Sequence, residues 1–456
     1  MKIKNAMIFP LLFATALTGC GNRKPSFPAG DIEINITDEE IAAYKSRPVT
    51  ISFWNPITGP DSGYLQGLVT TWNNKFGKAI NINNSSLDED DHYQRILTSF
   101  SDNSTADLCI VHKSRLATYK RSNKLRDMTD LLEDAGIEES QYIPAVWKGG
   151  KFDEKMYALP YDLIPTVLYY NKLLIPEGYS ESDITSDSFT FENMYEMMKA
   201  AYVHAPRSSQ RTYGMAFNYA YTEEPFLTVL YSLGGELVNK DNPTQPLFNS
   251  SNGFEATKAI ESLPFTLTSQ GRKTSSDSGS DHRVIFSQGR ALFTMDGLWS
   301  TEALVKHNDK VDTGLTFLPK VSAEAARLGY SDSHTFVTFA NKNVSAHRDG
   351  AIKLLLKYFV HNSAYWMKSG KVAARIDTAQ DEDYKSLMWS FVSDEMTNIC
   401  IPESIYTYNA ISGVLGKTIS KICEGKGSNH SRYSDSEIQS MLNQGVQEAK
   451  EIAERL

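Results

Sequence analysis

Two stretches of the chain put a flat aromatic ring beside short hydrogen-bonding groups, each where a strand should give way to a helix. Phe53-Trp54-Asn55-Pro56-Ile57-Thr58-Gly59-Pro60-Asp61 is the first, and Asp296-Gly297-Leu298-Trp299-Ser300 is the second. Trp offers a broad apolar face, while Asp, Asn, Ser and Thr offer paired donors and acceptors. A pyranose uses both, because its C–H face stacks on a ring while its hydroxyls radiate outward. Trp54, Asn55, Asp296 and Trp299 are therefore candidate ligand contacts. Trp72 is expected in the core instead, since it shares a helical stripe with Leu65, Leu68, Val69 and Phe76.

Catalytic signatures do not compete with this. Gly413-Val414-Leu415-Gly416-Lys417-Thr418 resembles the end of a phosphate loop, but the pattern needs glycine five residues before Gly416, where Ile411 stands. No strand leads into it, so a surface helix is expected. The chain has no G-x-S-x-G elbow, no H-E-x-x-H and no calcium loop, and its 9 histidines lack ligand spacing. The acid run Asp88-Glu89-Asp90-Asp91 suits a solvated helix start, where the dipole favours negative charge. A glycosidase pair of carboxylates needs no sequence signature, and nothing in the chain points to one.

The elements that must position these residues alternate. Val49–Trp54, Ile80–Ile82 and Leu108–Val111 have strand character, the last continuously apolar as in a buried parallel strand. Helices are expected between them, over the Leu65–Phe76 stripe and around Tyr93, Ile96, Leu97 and Phe100. Such βαβ units place ligands beyond the carboxyl ends of the strands. Further strands are expected at Val167–Tyr170, Tyr213–Phe217, Ala291–Met295, Asp312–Phe317 and Thr335–Phe339. Helices are expected at Thr37–Tyr44, with a Thr37/Glu40 capping box, at Thr190–Tyr202 and at Gly297–Lys306. After Ala351 the pattern is almost wholly helical, ending in an amphipathic stretch over Ser434–Leu456.

The chain of 456 residues, 41% hydrophobic and 22% charged, suits a globular protein of two or three domains at about 150 residues each. A net charge of -9 argues against nucleic acid as a partner. Lys2 and Lys4 precede an apolar run of about 12 residues, Ala6–Leu17, too short to span a bilayer, and Leu17-Thr18-Gly19-Cys20 follows. That has the form of a lipobox, so residues 1–19 are expected to be a signal peptide and Cys20 to carry acyl chains. Residues 21–30, rich in Pro, Gly and charge, suit a flexible spacer, with linker running to 47. Cys109 sits in an apolar run. Cys400 and Cys423 could pair in an oxidising compartment, and spacing alone leaves that open.

Several segments, in order, resemble the family 1 extracellular solute-binding proteins of bacterial ABC sugar importers, the maltose-binding-like group. They are Ile51-Ser52-Phe53-Trp54 with Thr58-Gly59-Pro60-Asp61, then Ala106-Asp107-Leu108, and Tyr157-Ala158-Leu159-Pro160-Tyr161-Asp162 running on to Leu174. Ala216-Phe217-Asn218 with Glu224-Pro225-Phe226, the stretch Phe286 to Trp299, Leu318-Pro319, and Val372-Ala373-Ala374-Arg375 complete the set. The resemblance covers roughly residues 50 to 440 and implies an α/β, periplasmic-binding-protein-like fold. Two α/β lobes, 48–162 with 328–377 and 163–327 with 378–456, would be joined by a hinge around a ligand cleft. The site it implies comprises Asn55, Thr58, Asp61, His112, Lys113, Asp162, Glu224, Phe226, Trp299 and Arg375. It implies a non-enzymatic, cofactor-free, monomeric receptor, lipid-anchored outside the cytoplasm. That receptor would close on a mono- or oligosaccharide and deliver it to ABC permease subunits. The basic pair His112-Lys113 departs from many sugar binders and keeps a second reading open, sn-glycerol 3-phosphate or another small anion. A surface glycan hydrolase and a sensor or adhesin are further alternatives.

Overall fold

The structure is a computed structural model that describes residues 32–276, 281–340, 344–402 and 404–456. Cys20, the lipobox and the 21–30 spacer lie outside these residues. The Thr37/Glu40 capping box forms and opens a helix over Asp38–Ser46.

A five-stranded sheet forms the first lobe, in the order Ile80–Ser86, Val49–Asn55, Leu108–His112, His334–Val337, Leu159–Pro160. Its first three strands are parallel, and His334–Val337 runs antiparallel to its neighbours. The expected βαβ alternation is present, with helices over Ser62–Phe76 and Glu89–Ser99. Trp72 is fully buried, and its indole N–H donates to the Ile80 carbonyl at 2.8 Å, tying the first helix to the second strand. Asp88 caps the second helix by accepting the Asp91 N–H. The acid run does begin a helix, where the dipole favours it.

The second sheet is built on one strand, Asp162–Asn171, all ten residues of which are buried. It pairs antiparallel with Ala291–Gly297, Thr313–Thr316, Gly329–Asp332 and Val372–Ala373. Tyr213–Ala216 and Ile399–Cys400 extend the sheet at either side. Helices Glu223–Ser232, Ser251–Phe265, Tyr408–Glu424 and Asp435–Ala453 cover it and share an apolar core with Phe226, Phe248 and Leu415.

The chain passes from sheet to sheet through single residues. Tyr161 separates Leu159–Pro160 from Asp162–Asn171, and Ser333 separates Gly329–Asp332 from His334–Val337. The two lobes therefore meet along two crossing strands, with Val372–Ala373 laid against Asp162 and Leu163 as a third pass.

Two expectations are corrected. The helix expected over Gly297–Lys306 is a strand to Gly297, a 3-10 turn over Leu298–Ser300 and one helical turn over Thr301–Leu304. Val305 then takes an extended conformation, which suits its β-branched side chain. The nearly all-helical end is interrupted by strands Val372–Ala373 and Ile399–Cys400, which short apolar runs supply and partners elsewhere in sequence complete. Cys109, Cys400 and Cys423 are all free thiols.

Candidate functional site

A cavity of about 430 Å³ lies between the two sheets. Its first-lobe wall is the carboxyl ends of parallel strands and the turns that follow them, with Thr58, Gly59, Asp61, His112, Ser114 and Arg115. Glu89 and Asp90 join them from the start of their helix. Ile164, Tyr330, Asp332 and His334 line it from the crossing strands. The second-lobe wall carries Glu223, Glu224, Trp299, Tyr408, Asn409 and Ser412.

Of the residues expected from sequence, Thr58, Asp61, His112, Glu224 and Trp299 line this cavity. Asn55 is buried beneath it. Its amide oxygen accepts the Ile57 N–H at 3.1 Å and the Ser86 hydroxyl at 2.9 Å, which holds the Pro56–Thr58 turn in shape. Trp54 lies one residue earlier on the strand and its side chain goes to the opposite face, where Arg95 covers the indole at 3.7 Å. Phe226 is two positions after Glu224 on the helix, so it turns away into the second-lobe core. Lys113 turns away from the cavity, and its buried ammonium donates to the Pro402 carbonyl. Arg375 pairs with Asp377 and lies over the Tyr142 ring. Asp162 and Asp296 are buried supports rather than wall residues.

Asp296 explains how Trp299 is presented. His282 Nε2 and Arg283 Nε hold its carboxylate at 2.8 and 2.6 Å, and Oδ1 accepts the Gly297 N–H at 2.8 Å. Burial raises the Asp296 pKa, but the His282 and Arg283 hydrogen bonds overcome that and hold it below the usual range. Gly297 has no side chain because the Trp299 ring occupies the space. A Cβ there would sit 1.9 Å from the indole. The strand end is thus shaped to lay one aromatic ring against backbone and offer it to the cavity.

The charges on the walls are mostly acidic. Asp61 is neutralised by Lys371 at 2.6 Å, both groups being buried. Glu89 pairs with Arg115 at 3.4 Å, and Arg115 also stacks over Tyr93 at 4.2 Å. Burial raises the Glu89 pKa, yet His112 and Arg115 together leave it below the usual value. Burial lowers the His112 pKa against the pull of Glu89. The Tyr93 hydroxyl accepts the His112 backbone N–H at 2.9 Å and lies 2.6 Å from Nδ1. Glu223 and Glu224 are both held above the usual carboxyl range. For Glu223 the causes are burial and then Glu224; for Glu224 they are burial, then Glu89 and Asp296.

Sequence reasoning did not find Arg115, Glu223, Tyr330, Asp332, His334 or the start of the Tyr408–Glu424 helix. That helix carries the apolar stripe Ile411, Leu415, Ile419 and Ile422, which speaks of burial rather than of a cavity. Among the described residues, no cluster of three or more His, Cys, Asp or Glu could hold a metal ion, and no helix is long and apolar enough to cross a membrane.

Two α/β lobes around a cleft, crossed by paired strands, are the architecture of periplasmic-type binding proteins. Residues 67–387 match the bacterial extracellular solute-binding protein family, and the chain belongs to it. That family comprises binding proteins rather than enzymes. The maltose/maltodextrin-binding domain MalE from Bdellovibrio bacteriovorus, bound to maltotriose, has the same fold. It superimposes with a TM-score of 0.71 at 17% identity, over 90% of this chain and 100% of that one. An ABC substrate-binding protein from Listeria monocytogenes in complex with cycloalternan gives 0.70 at 15% identity, over 89% and 99% of the two chains. In sequence, the diacetylchitobiose binding protein DasA from Streptomyces coelicolor is 22% identical over 227 residues, 49% of each chain. The match thus spans about half the length of that curated relative.

Proposed function

We propose that the protein captures a mono- or oligosaccharide in the interlobe cavity and delivers it to the permease subunits of an ABC importer. The observation that carries this is the pairing of Trp299 with polar groups from both lobes around one cavity. A sugar filling it would touch Thr58, Asp61 and Arg115 on one side and Glu224, Trp299 and Asn409 on the other. Only a closed molecule offers both sets at once, so binding favours closure. The lobes would be 48–162 with 328–377 and 163–327 with 378–456, pivoting where Tyr161 and Ser333 cross. The ligands of similar proteins support a sugar ligand, since maltotriose, cycloalternan and diacetylchitobiose are all oligosaccharides.

The sn-glycerol 3-phosphate reading loses its main support, because Lys113 spends its ammonium on Pro402 and the wall is acidic.

A thermal-shift screen of the purified protein against neutral and amino sugars, glycerol 3-phosphate and polyamines tests this. A sugar at 100 times its dissociation constant should stabilise by roughly 2.7 kcal/mol. A phosphate hit with no sugar hit would reverse the assignment. The reading includes a tether: Cys20 carries the lipid, which holds the receptor at the outer side of a membrane. Labelled palmitate should enter the wild type and not Cys20→Ser.

A further inference from the structure

The cavity wall carries more carboxyl groups than the protein pairs with cations. Asp61 has Lys371 and Glu89 has Arg115. Glu223 and Glu224, at the start of one helix, form no ion pair with a lysine, arginine or histidine among the described residues. Asp332 accepts the backbone N–H groups of Ser114 and Ser333 at 3.2 and 2.8 Å and forms no ion pair with a lysine or arginine among the described residues. Tyr330, which also lines the cavity, is within electrostatic reach of both Asp332 and Glu223, so these carboxyls face one region. Trp299, Tyr330 and Tyr408 supply aromatic faces in the same space.

We infer that the ligand of this cleft bears a cationic amino group, as in an amino sugar whose amine is free. The inference rests on the carbohydrate reading and sharpens it. A neutral sugar brings no charge to these carboxyls, so ionising them in its presence would leave like charges facing one another in a confined space. An ammonium group supplies the missing charge, makes charge-assisted hydrogen bonds to Glu223, Glu224 or Asp332, and gains from the nearby ring faces. An anion would add to the imbalance.

A protonation change should accompany binding. Glu223 faces Glu224, Glu89, Arg115 and Ser412, and Glu224 faces Glu89 and Asp296; burial and these carboxylates raise both pKa values. A bound ammonium lowers them, so near neutral pH the protein releases protons when an amine-bearing ligand enters.

The test is isothermal titration calorimetry of the full chain at pH 6, where the ligand amine is protonated and Glu223 and Glu224 still hold protons, with three β-1,4-linked disaccharides, of glucosamine, of N-acetylglucosamine and of glucose, and with spermidine. Each titration is run in two buffers of different ionisation enthalpy. The expected result is binding of the glucosamine disaccharide at least about tenfold tighter than either neutral one, with proton release for it alone. That preference should fall toward unity in Glu223→Gln and Glu224→Gln, which keep side-chain shape and remove charge. Equal or tighter binding of the neutral disaccharides would overturn the inference and leave the carbohydrate reading standing. Binding of spermidine with no disaccharide bound, or no binding by any probe, would overturn both.

Discussion

Asp162 and His334 join the two crossing strands at the point where the chain passes between the lobes. His334 Nδ1 lies 2.9 Å from Asp162 Oδ2, and the His334 backbone N–H donates to Oδ1 at 2.9 Å. The Trp366 indole N–H donates to Oδ2 at 2.7 Å, and Ala373 pairs in register with Asp162. One carboxylate thus gathers all three passes. His334 also lines the cavity, which puts cavity and crossing point one side chain apart.

Asp162 is fully buried, and although burial raises its pKa, His334 and Lys371 bring it below the ordinary 3.8. Its contribution to stability is therefore present above pH 3.8 and is lost as the pH falls through the folded-state value. Asp162→Ala leaves three donors without an acceptor and should cost roughly 3 kcal/mol in urea denaturation at pH 7. Arg375→Ala removes a pair whose Asp377 partner is largely exposed and should cost less than about 1 kcal/mol.

Glu223 and Glu224 give the opposite sign. Their folded-state pKa values are raised above the ordinary 4.5, so the folded state holds extra protons above that pH. The associated stability is fully present below pH 4.5 and is lost as the pH rises through the raised values. Without ligand, Glu223→Gln should melt higher than wild type at pH 8 by roughly 2 °C and match it near pH 4.5. A variant that melts lower at pH 8 would show that Glu223 has a cationic partner in the free protein.

The two tryptophans should separate stability from binding. Trp72→Ala removes a fully buried ring and its bond to Ile80, at roughly 4 kcal/mol. Trp299→Ala should cost far less in stability but lower sugar affinity at least about tenfold. Gly297→Ala touches no ligand, yet its Cβ would displace the indole, so it should weaken binding in the same direction.

Cys400 and Cys423 are free, with burial pushing the Cys400 thiol up to about 11 and the Cys423 thiol well above its ordinary value. Dithiothreitol should leave the melting temperature unchanged. Thiol titration of the unreduced, denatured chain should detect Cys109, Cys400 and Cys423.

Local periodicity made the first half of the fold legible. The strands at Val49, Ile80 and Leu108 and the helices between them carry their patterns within a few residues. The cavity was legible where a strand end announced itself, at Thr58, Asp61, His112 and Trp299, and through the family resemblance at Glu224. Tyr330, Asp332, His334 and Tyr408 lie more than 200 residues beyond His112, a separation that no local pattern records. Neighbouring residues were also misassigned for a simple geometric reason: Trp54 and Lys113 each lie one position from a residue at or beneath the cavity, and successive side chains point apart. Glu224 was found and Glu223 was not, although both reach the wall.

The central claim is capture of a sugar between closing lobes, and tryptophan fluorescence titrated with an oligosaccharide panel tests it most directly. The account predicts a saturable change with at least one sugar in the wild type, lost in Trp299→Ala while the fold is retained. A sugar that binds with the same affinity and the same fluorescence change in both proteins, or a panel that leaves the wild type silent, would contradict it.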